Sequence, residues 1–455
     1  MPGTDTLVQF IHTPHARLNR PLLRERAVRY LIDTLAVTVA GSTEPAVATL
    51  LDNYATLQMN GTPLPWTART LSTDDACLVF GTASHVLDYD DVSMLAVCHP
   101  SAPIVTVLNS LAHLKPMSGA ELVDAFIVGT EVLIRTGQAM GFRHYELGFH
   151  ATATLGALGA AACSARVLGL TAAQTRHALS IAASQSAGLR KNFGSMVKSL
   201  HVGLAASHGL QAARLAQAGV EGSHEAFMNG GWLHAYSGGE TDRWPDGFQP
   251  GNPTAIEEAG FEQKRFPCCY MTHKIITAAL ALKTHHGLTL DTIEQIDVQL
   301  CKGGTTPLIH PRPTTGLHAK FSAPYTVLAA LADGRVNLAS FEEGAVMRPE
   351  IQARLDDVRV GEDTAPLAHG NDVGKAPATV TVQTRDGHTL SHTVVASPGS
   401  PDDPLSDADL AIKWADCLRH TRPDLTPATT HTLFATGLDL DNVADAGRWL
   451  RLETP

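Results

Sequence analysis

The stretch LGFHATATLGALGAAACSA, residues 147–165, contains no Asp, Glu, Lys or Arg and is rich in Ala, Leu and Gly. By length alone it could cross a bilayer. However, it holds His150, Thr152, Thr154 and three glycines, and these small and polar side chains suit a helix packed closely inside protein. The stretch therefore predicts a buried central helix of a globular fold, with no membrane partner.

The surrounding chain continues the helical pattern from residue 22 to about residue 250. Apolar residues recur at three- and four-residue spacing, and Gly, Pro or Asn separates the segments. The clearest predicted helices cover residues 26–39, 102–114, 119–140, 152–168, 172–187 and 202–217. Because these segments are rich in Ala, Gly and Ser, their axes can approach closely, which predicts a compact helical bundle.

The composition changes after about residue 260. Residues 293–300 and 378–384 have the Val, Ile and Thr content of strands. Asp386 and Gly387 lie between two alternating segments and predict a hairpin with a type I′ turn. Predicted helices at residues 273–286 and 322–333 complete the segment. It therefore reads as a smaller α+β domain.

The helical pattern returns in residues 406–420 and again near 442–452. We therefore predict a mainly α fold with an α+β second domain. Both chain ends, residues 1–258 and 403–455, form the large all-helical domain. The smaller α+β domain, residues 259–402, is inserted between them.

The charge balance limits the possible partners. Asp and Glu outnumber Lys and Arg by 45 to 34, which gives a formal net charge of −11, and no basic run is present. Nucleic acid is therefore not an expected partner. The first residues contain arginines but no compact apolar segment, so no secretory signal is visible and a cytoplasmic protein is expected. The seven cysteines form no CxxC pair, and reduced thiols are expected.

The first candidate cluster holds three carboxylates in four residues. Asp88, Asp90 and Asp91 follow His85, and His99 lies shortly downstream. Carboxylates this close are costly to hold together unless donors, a cation or a substrate compensate them. A solvated acidic loop after a helix explains the same residues, and a metal site is a further alternative because Asp and His are competent ligands.

Two further clusters lie on either side of the small-residue helix. His144, Tyr145 and His150 precede it, where the positive end of the helix dipole could hold an anion. Core histidines bonded to backbone explain the same pattern. Lys198 belongs to a basic, Gly-containing loop over residues 190–201. It either extends its ammonium to the surface or faces an anionic ligand.

Lys264 and Arg265 open the second domain, where an exposed pair of cations is the simple explanation. Taken together, the clusters offer several cations and imidazoles in a protein of negative net charge. Because Lys and Arg bind carboxylates through charge-assisted hydrogen bonds, this combination suits a small polyanionic substrate.

Several of these segments together resemble one family, MmgE/PrpD. The matching motifs spread in the family's order over roughly residues 10–420. They are Gly81-Thr82-Ala83-Ser84-His85 continuing to Asp91, His99-Pro100-Ser101, Gly148-Phe149-His150-Ala151-Thr152, Gly194-Ser195-Met196-Val197-Lys198 with His201, Lys264-Arg265-Phe266-Pro267-Cys268, and Ala319-Lys320-Phe321-Ser322 with Tyr325.

The resemblance implies a large helical domain with a smaller α+β lid, a homodimer, and an active site that needs no metal and no cofactor. Known members include 2-methylcitrate dehydratase, cis-aconitate decarboxylase and iminodisuccinate epimerase. By motif position, the residues expected to line the site are Asp88, His99, His150, Lys198, Lys264 and Tyr325. Asp91, Tyr145 and His201 lie beside these positions and are predicted to contact the substrate.

The resemblance also suggests roles. His150 or His99 is expected to transfer the proton, with Lys198 and Lys264 as carboxylate anchors. Asp88 is expected to orient a His or Lys, and Tyr325 to donate a proton. Val92 departs from the pattern, because many members have Thr or Ser there. Tyr325 favours the decarboxylase and dehydratase members over the epimerase.

The leading prediction is therefore a lyase acting on a small tricarboxylate of the citrate or aconitate type. It would remove carbon dioxide or water through an enolate-like carbanion, with acid–base catalysis. An epimerase or isomerase of an amino- or imino-dicarboxylate is the alternative in another reaction class. A binding protein that has kept the fold and lost the chemistry is the third.

Overall fold

The computed structural model describes residues 2–54, 61–363 and 373–454. It is a mainly helical structure with one small mixed sheet, so the predicted fold class is confirmed. The chain divides into two compact units. The first combines Met1–Glu262 with Ser406–Pro455, and the second is Gln263–Leu405.

The first unit is a bundle of helices with one short antiparallel hairpin. Its helices up to residue 262 are α1 (Pro2–Ile11), α2 (His15–Leu18), α3 (Pro21–Gly41), α4 (Pro45–Asn53), α5 (Thr73–Val86), α6 (Ser101–Leu114), α7 (Gly119–Met140), α8 (Arg143–Glu146), α9 (Ala151–Leu168), α10 (Ala172–Gln185), α11 (Met196–Gln217), α12 (Trp232–Tyr236) and α13 (Ala255–Glu258). The hairpin pairs β1 (Thr62–Leu64) with β2 (Thr67–Leu71).

Glycines allow the central helices of this unit to touch backbone to backbone. A Cβ on Gly203 of α11 would lie 2.3 Å from the Leu78 carbonyl oxygen of α5. A Cβ on Gly159 of α9 would lie 2.7 Å from the Gly129 carbonyl oxygen of α7. Neither position has room for a larger side chain, since contacts below about 3 Å are repulsive. The small residues predicted to bring helices together therefore do so at α5, α7, α9 and α11.

Helix α9 is the buried central helix that the opening stretch predicts. It has the length and hydropathy of a membrane span, but 89% of that window is buried inside the protein. Burial of this extent is typical of the core helix of a soluble protein, where other helices replace lipid as the apolar surroundings.

The second unit is built on a four-stranded sheet. Its helices are α14 (His273–His286), α15 (Gly316–Ala319), α16 (Ala323–Asp333), α17 (Glu343–Val346) and α18 (Pro349–Gln352), and its strands are β3 (Ile293–Leu300), β4 (Val358–Glu362), β5 (Ala378–Thr384) and β6 (Thr389–Val394). The strand order is β4-β3-β5-β6, with β3 and β4 parallel and the other neighbours antiparallel. Helices α14 and α16 pack together and bury the apolar face of the sheet.

The chain then returns to the first unit. The helices of this return are α19 (Asp407–Thr421), α20 (Pro427–Leu438) and α21 (Ala446–Leu450). Helix α19 packs against α3, and Lys413 Nζ lies 2.7 Å from Asp33 Oδ1 between them. A buried cation and a buried carboxylate thus tie the C-terminal segment to the N-terminal helices.

Two local predictions are wrong. The β5–β6 hairpin exists, but Gly387 has a φ of 90° while Asp386 has no positive φ. A type I′ turn needs positive φ at both central residues. The Thr384 carbonyl instead accepts from the Gly387 N–H, which makes a three-residue loop that ends with glycine in the left-handed region.

Helix α11 begins at Met196, six residues before the predicted start, so Lys198 lies in its first turn.

Candidate active site

Four helix ends of the first unit supply the candidate residues. The C-terminal end of α5 and the following loop carry residues 85–99, and α6, α9 and α11 begin at Ser101, Ala151 and Met196. Asp88 follows α5 with a φ of 52°, a left-handed conformation that Asp adopts more readily than most residues. Asp90 and Asp91 follow this turn.

Lys198 and Asp88 form a buried ion pair. Their relative exposures are 8% and 5%, and Lys198 Nζ lies 2.5 Å from Asp88 Oδ1. The ammonium is also 5.4 Å from the centre of the Phe193 ring. A lysine in such a sequence more commonly extends its ammonium to the surface. Lys198 does not. A positive charge near a helix N-terminus is unfavourable, and the Asp88 carboxylate compensates it.

Asp90 accepts from one imidazole and touches a second. His85 Nδ1 donates to Asp90 Oδ2 over 2.8 Å, and both side chains are fully buried. His99 Nδ1 lies 3.2 Å from the same oxygen, but its direction is poor for a hydrogen bond. The ring centres of His85 and His99 are 4.5 Å apart, edge to face.

The surroundings decide the charges in this group. Burial lowers the pKa of His85 to about 3, so this ring is neutral and keeps its proton on Nδ1 for the carboxylate. Burial opposes the charge of Asp90 as well, yet the two imidazoles outweigh it and hold the pKa of Asp90 well below 3.8. An ionised Asp90 is therefore an acceptor only.

His150 and His201 form a second imidazole pair. Their Nδ1 atoms are 3.0 Å apart, so one must donate and the other must accept. His150 immediately precedes α9 and stacks on His85 with ring centres 5.7 Å apart. Burial, followed by the nearby His85 and Lys198, holds the pKa of His150 well below 6.5. Burial and Lys198 also lower the pKa of His201. The pair is neutral.

The structure thus brings together five residues predicted for the site, namely Asp88, His99, His150, Lys198 and His201, all in the first unit. Asp90 and His85 join these residues, but the site residues predicted from the sequence did not include them. The run from His85 to Asp91 was the only available signal, and it does not distinguish one carboxylate from its neighbour.

Asp91 contacts the start of helix α6. Its two oxygens accept from the backbone N–H and the hydroxyl of Ser101, at the start of α6, and the side chain is fully buried. Burial raises the pKa of Asp91 to about 8. These contacts make Asp91 a cap of α6 and do not support the predicted contact with substrate.

His144 and Tyr145 also lie apart from the imidazole cluster. His144 bonds through Nε2 to Thr154 Oγ1 over 2.7 Å and through Nδ1 to the Tyr236 carbonyl over 3.0 Å. His144 is therefore the backbone-bonded core histidine that the sequence allowed as an alternative to an anion site. The Tyr145 ring carries the Arg190 guanidinium 4.4 Å from its centre. Its predicted role with substrate stays a prediction.

Lys264 and Tyr325 lie in the second unit. Lys264 is 1% exposed, so it is not the exposed cation of the simple explanation. The Tyr325 ring belongs to the apolar core of its unit, and its hydroxyl donates to the Ser340 carbonyl. Burial raises the pKa of Tyr325 to about 12. These contacts give Tyr325 a packing role and do not support its predicted role as a proton donor.

Within the described ranges, one group has the spacing to admit a metal ion. One atom each from His85, Asp90 and His99 lies within 4.8 Å of the others. The same three side chains make the contacts described above between Asp90 and the two rings, so the geometry has an explanation without a cation.

Family comparison agrees with the resemblance. Residues 5–245 match the MmgE/PrpD N-terminal domain, and residues 266–428 match the MmgE/PrpD C-terminal domain. The chain belongs to the MmgE/PrpD family and is an enzyme of that type.

Several curated proteins are similar along most of their length. Cis-aconitate decarboxylase of Homo sapiens is 28% identical over 406 residues, which cover 86% of this chain and 82% of the relative. That of Mus musculus is 28% identical over 412 residues, covering 86% and 81%. That of Aspergillus terreus is 26% identical over 357 residues, covering 72% and 71%. These relatives support a lyase of this family.

Proposed function

We propose that this protein is a metal-independent lyase that decarboxylates cis-aconitate or a closely related tricarboxylate. The observation that carries the proposal is the buried Lys198–Asp88 pair in the same unit as the neutral His150 and the carboxylate-linked His99. The names of the relatives support this substrate class.

The reaction needs one proton and a place for negative charge. When carbon dioxide leaves the saturated arm of cis-aconitate, the electron pair of the broken C–C bond forms a new C=C bond. The former double bond shifts its electrons to its far carbon, which takes up a proton. Charge develops next to a carboxylate during this shift, so a nearby cation lowers the barrier.

Lys198 is proposed to supply that cation. Asp88 holds the ammonium in place, because Lys198 Nζ lies 2.5 Å from Asp88 Oδ1 in a buried ion pair. Charge-assisted hydrogen bonds from such an ammonium suit a carboxylate or an enolate-like oxygen. Burial strengthens this interaction, since little water is present to screen it. Lys264 is proposed as a second carboxylate anchor on the basis of its motif position alone.

The proton is proposed to come from His99, with His150 as a neutral hydrogen-bonding partner of the substrate. A neutral imidazole can polarise a carboxylate or hold a substrate oxygen without adding charge. His150 is well suited to this role, because its burial beside Lys198 disfavours the imidazolium. His99 is the more exposed of the imidazoles near Asp90, with 15% of its side chain accessible against 0% for His85.

The alternative function is an epimerase or isomerase of an imino-dicarboxylate. Two separate imidazoles, His99 and His150, flank His85 at 4.5 and 5.7 Å between ring centres, and an epimerase can use two groups to exchange a proton on opposite faces of one carbon. No relative named above carries that activity in its name.

A homodimer, which the family resemblance implies, is a further proposal, as is a cytoplasmic location.

One experiment separates these functions. Chelator-treated protein is incubated in deuterated water with cis-aconitate, citrate, 2-methylcitrate and an aspartate-derived imino acid, and each reaction is followed by proton NMR. We expect loss of a carboxylate from cis-aconitate. Loss of water from a citrate would indicate a dehydratase. Deuterium entering an α-carbon without a new product would support the epimerase, and no change in any sample would contradict an enzyme of this substrate class.

A further inference from the structure

The Asp90 carboxylate has buried surroundings to which the proposed function assigns no role. It is fully buried, its Oδ2 atom accepts from His85 and lies 3.2 Å from His99, and its Oδ1 atom makes no hydrogen bond within the described part of the chain. A buried, incompletely bonded carboxylate costs stability. Helix packing alone gives no reason for a carboxylate here.

We infer that Asp90 and His85 are positioning residues, which fix His99 with one proton on Nδ1, so that Nε2 takes up a second proton from solvent and passes it to the substrate carbon. The inference rests on the proposed acid–base function and adds the residues that prepare His99 for it. It also gives a structural reason for the choice of His99 over His150 as the proton-transfer group.

The assignment of the ring nitrogens follows from the acceptor. An ionised carboxylate has no proton to give, so a ring nitrogen held against it must carry one. His85 Nδ1 at 2.8 Å from Asp90 Oδ2 meets this condition. His99 Nδ1 at 3.2 Å from the same oxygen needs only a reorientation of its ring to do so, and such bonds often tighten when substrate binds. The Nε2 atom of His99 is then the one left for chemistry.

His150 lacks this support. Its Nδ1 atom faces His201 Nδ1, an imidazole and not a carboxylate. When an imidazole takes up a proton, a carboxylate behind it stabilises the cation and holds the tautomer, whereas a second neutral imidazole supplies no charge. His99 and His150, which the sequence alone could not rank, therefore differ in the group that faces the Nδ1 atom. This group is the Asp90 carboxylate for His99 and the His201 imidazole for His150.

His85 contacts the same Asp90 oxygen as His99. It gives the carboxylate its one well-aligned imidazole donor, while its own Nε2 atom is buried without a hydrogen bond among the described residues. Removing His85 would leave Asp90 free to turn away from His99. The sharing of one oxygen by two rings is thus the geometry that carries the inference.

The test combines kinetics on cis-aconitate with ¹⁵N NMR of the intact protein labelled on histidine. Asp90→Asn is expected to lower kcat by about 10²-fold or more with little change in KM, because the amide no longer stabilises the charged ring or selects its tautomer. His85→Leu is expected to lower kcat as well. His85→Asn retains a donor near the Nδ1 position and should recover most of the loss.

Asp124→Asn is the matched control. Asp124 is also a buried carboxylate that accepts from a histidine Nδ1, that of His15 at 2.9 Å, but it belongs to a network with Arg24 and Arg166. This variant should lower the melting temperature and leave kcat within about threefold, since it lies outside the proposed chemistry.

The NMR spectrum tests the inference separately from the proposed function. The wild-type spectrum should show His99 with the proton on Nδ1, whether or not the protein acts on cis-aconitate. His99 with its proton on Nε2 would overturn the inference, as would an Asp90→Asn variant that loses stability but keeps kcat. Activity lost to a chelator and restored by Zn²⁺ would also overturn it, and would make the same three side chains a metal site.

Discussion

The buried centres of the two units differ in the side chains that they contain. The first unit buries Lys198, Asp88, Asp90 and several imidazoles near the ends of α5, α9 and α11. The sheet core of the second unit buries aliphatic side chains between the sheet and two helices, and the Tyr325 hydroxyl among them finds a backbone acceptor. The same unit also buries Lys264, Lys274 and Lys320. Burial of apolar surface accounts for the second core. It does not account for the first, because burying charges costs stability that a function must justify.

The largest effect should follow loss of the Lys198 ammonium. Lys198→Met is expected to lower kcat for cis-aconitate by about 10³-fold, because the developing negative charge loses its cation. The same variant removes the buried Lys198–Asp88 ion pair, which should reduce the free energy of unfolding by about 3 kcal/mol. Steady-state kinetics and urea unfolding measure the two effects.

The double variant Asp88→Asn/Lys198→Met separates stability from chemistry. It should regain most of the lost stability, because no buried charge is left alone, and it should regain no activity. Recovery of activity together with stability would show that Lys198 acts only through the fold.

The next largest effect is expected at His150, and His144, a buried histidine six residues earlier, is its control. His150→Asn should lower kcat by about 10²-fold, because the substrate loses the neutral hydrogen-bonding partner proposed for it, and Asn keeps a polar atom near the His201 contact. His144→Asn should leave kcat near the wild-type value, because the hydrogen bonds of the His144 ring to residues that the structure describes go to Thr154 and the Tyr236 backbone. Equal losses of kcat in both variants would remove the distinction between a site histidine and a core histidine.

Acid should destabilise the protein through its buried neutral histidines. Burial lowers the pKa of His144 to about 4, against 6.5 in an unfolded chain. The unfolded state therefore binds a proton between pH 6.5 and 4 that the folded state does not bind. Stability falls as the pH falls through this window, by on the order of 3 kcal/mol for this residue.

Urea unfolding at several pH values from 7 to 4.5 checks the effect. The His144→Asn variant should show a shallower loss of stability with acid than the wild type. An unchanged pH slope would mean that His144 titrates alike in the folded and unfolded states.

The smallest effect is expected in the second unit. Tyr325→Phe removes a hydroxyl that donates to the Ser340 carbonyl, so it should lower the free energy of unfolding by about 1 kcal/mol and leave kcat unchanged. A large loss of kcat with full stability would restore the catalytic role that the sequence motif suggested for Tyr325.

Periodic segments of the sequence were predicted well because a single face or a single composition defines them. Strand β3 and helix α7 begin and end at the predicted residues. The start of α11 was missed because its first turns carry Lys198, Ser199 and His201, polar residues that are largely buried and interrupt the apolar pattern.

The site was predicted only in part, for a geometric reason. Asp90 and Asp91 are adjacent and chemically identical, yet one meets two imidazoles and the other caps α6. No spacing rule resolves such a choice, because it depends on the packing of helices that are distant in sequence.

The most direct measurement compares three proteins side by side. Wild type, Lys198→Met and Tyr325→Phe receive cis-aconitate labelled with ¹³C on its carboxyl groups, and the rate of ¹³CO₂ release is followed for each. We expect wild type and Tyr325→Phe to release it at similar rates and Lys198→Met about 10³-fold more slowly. Release by Lys198→Met at the wild-type rate, or no release by any of the three, would contradict a decarboxylase whose chemistry depends on the buried charges of the first unit.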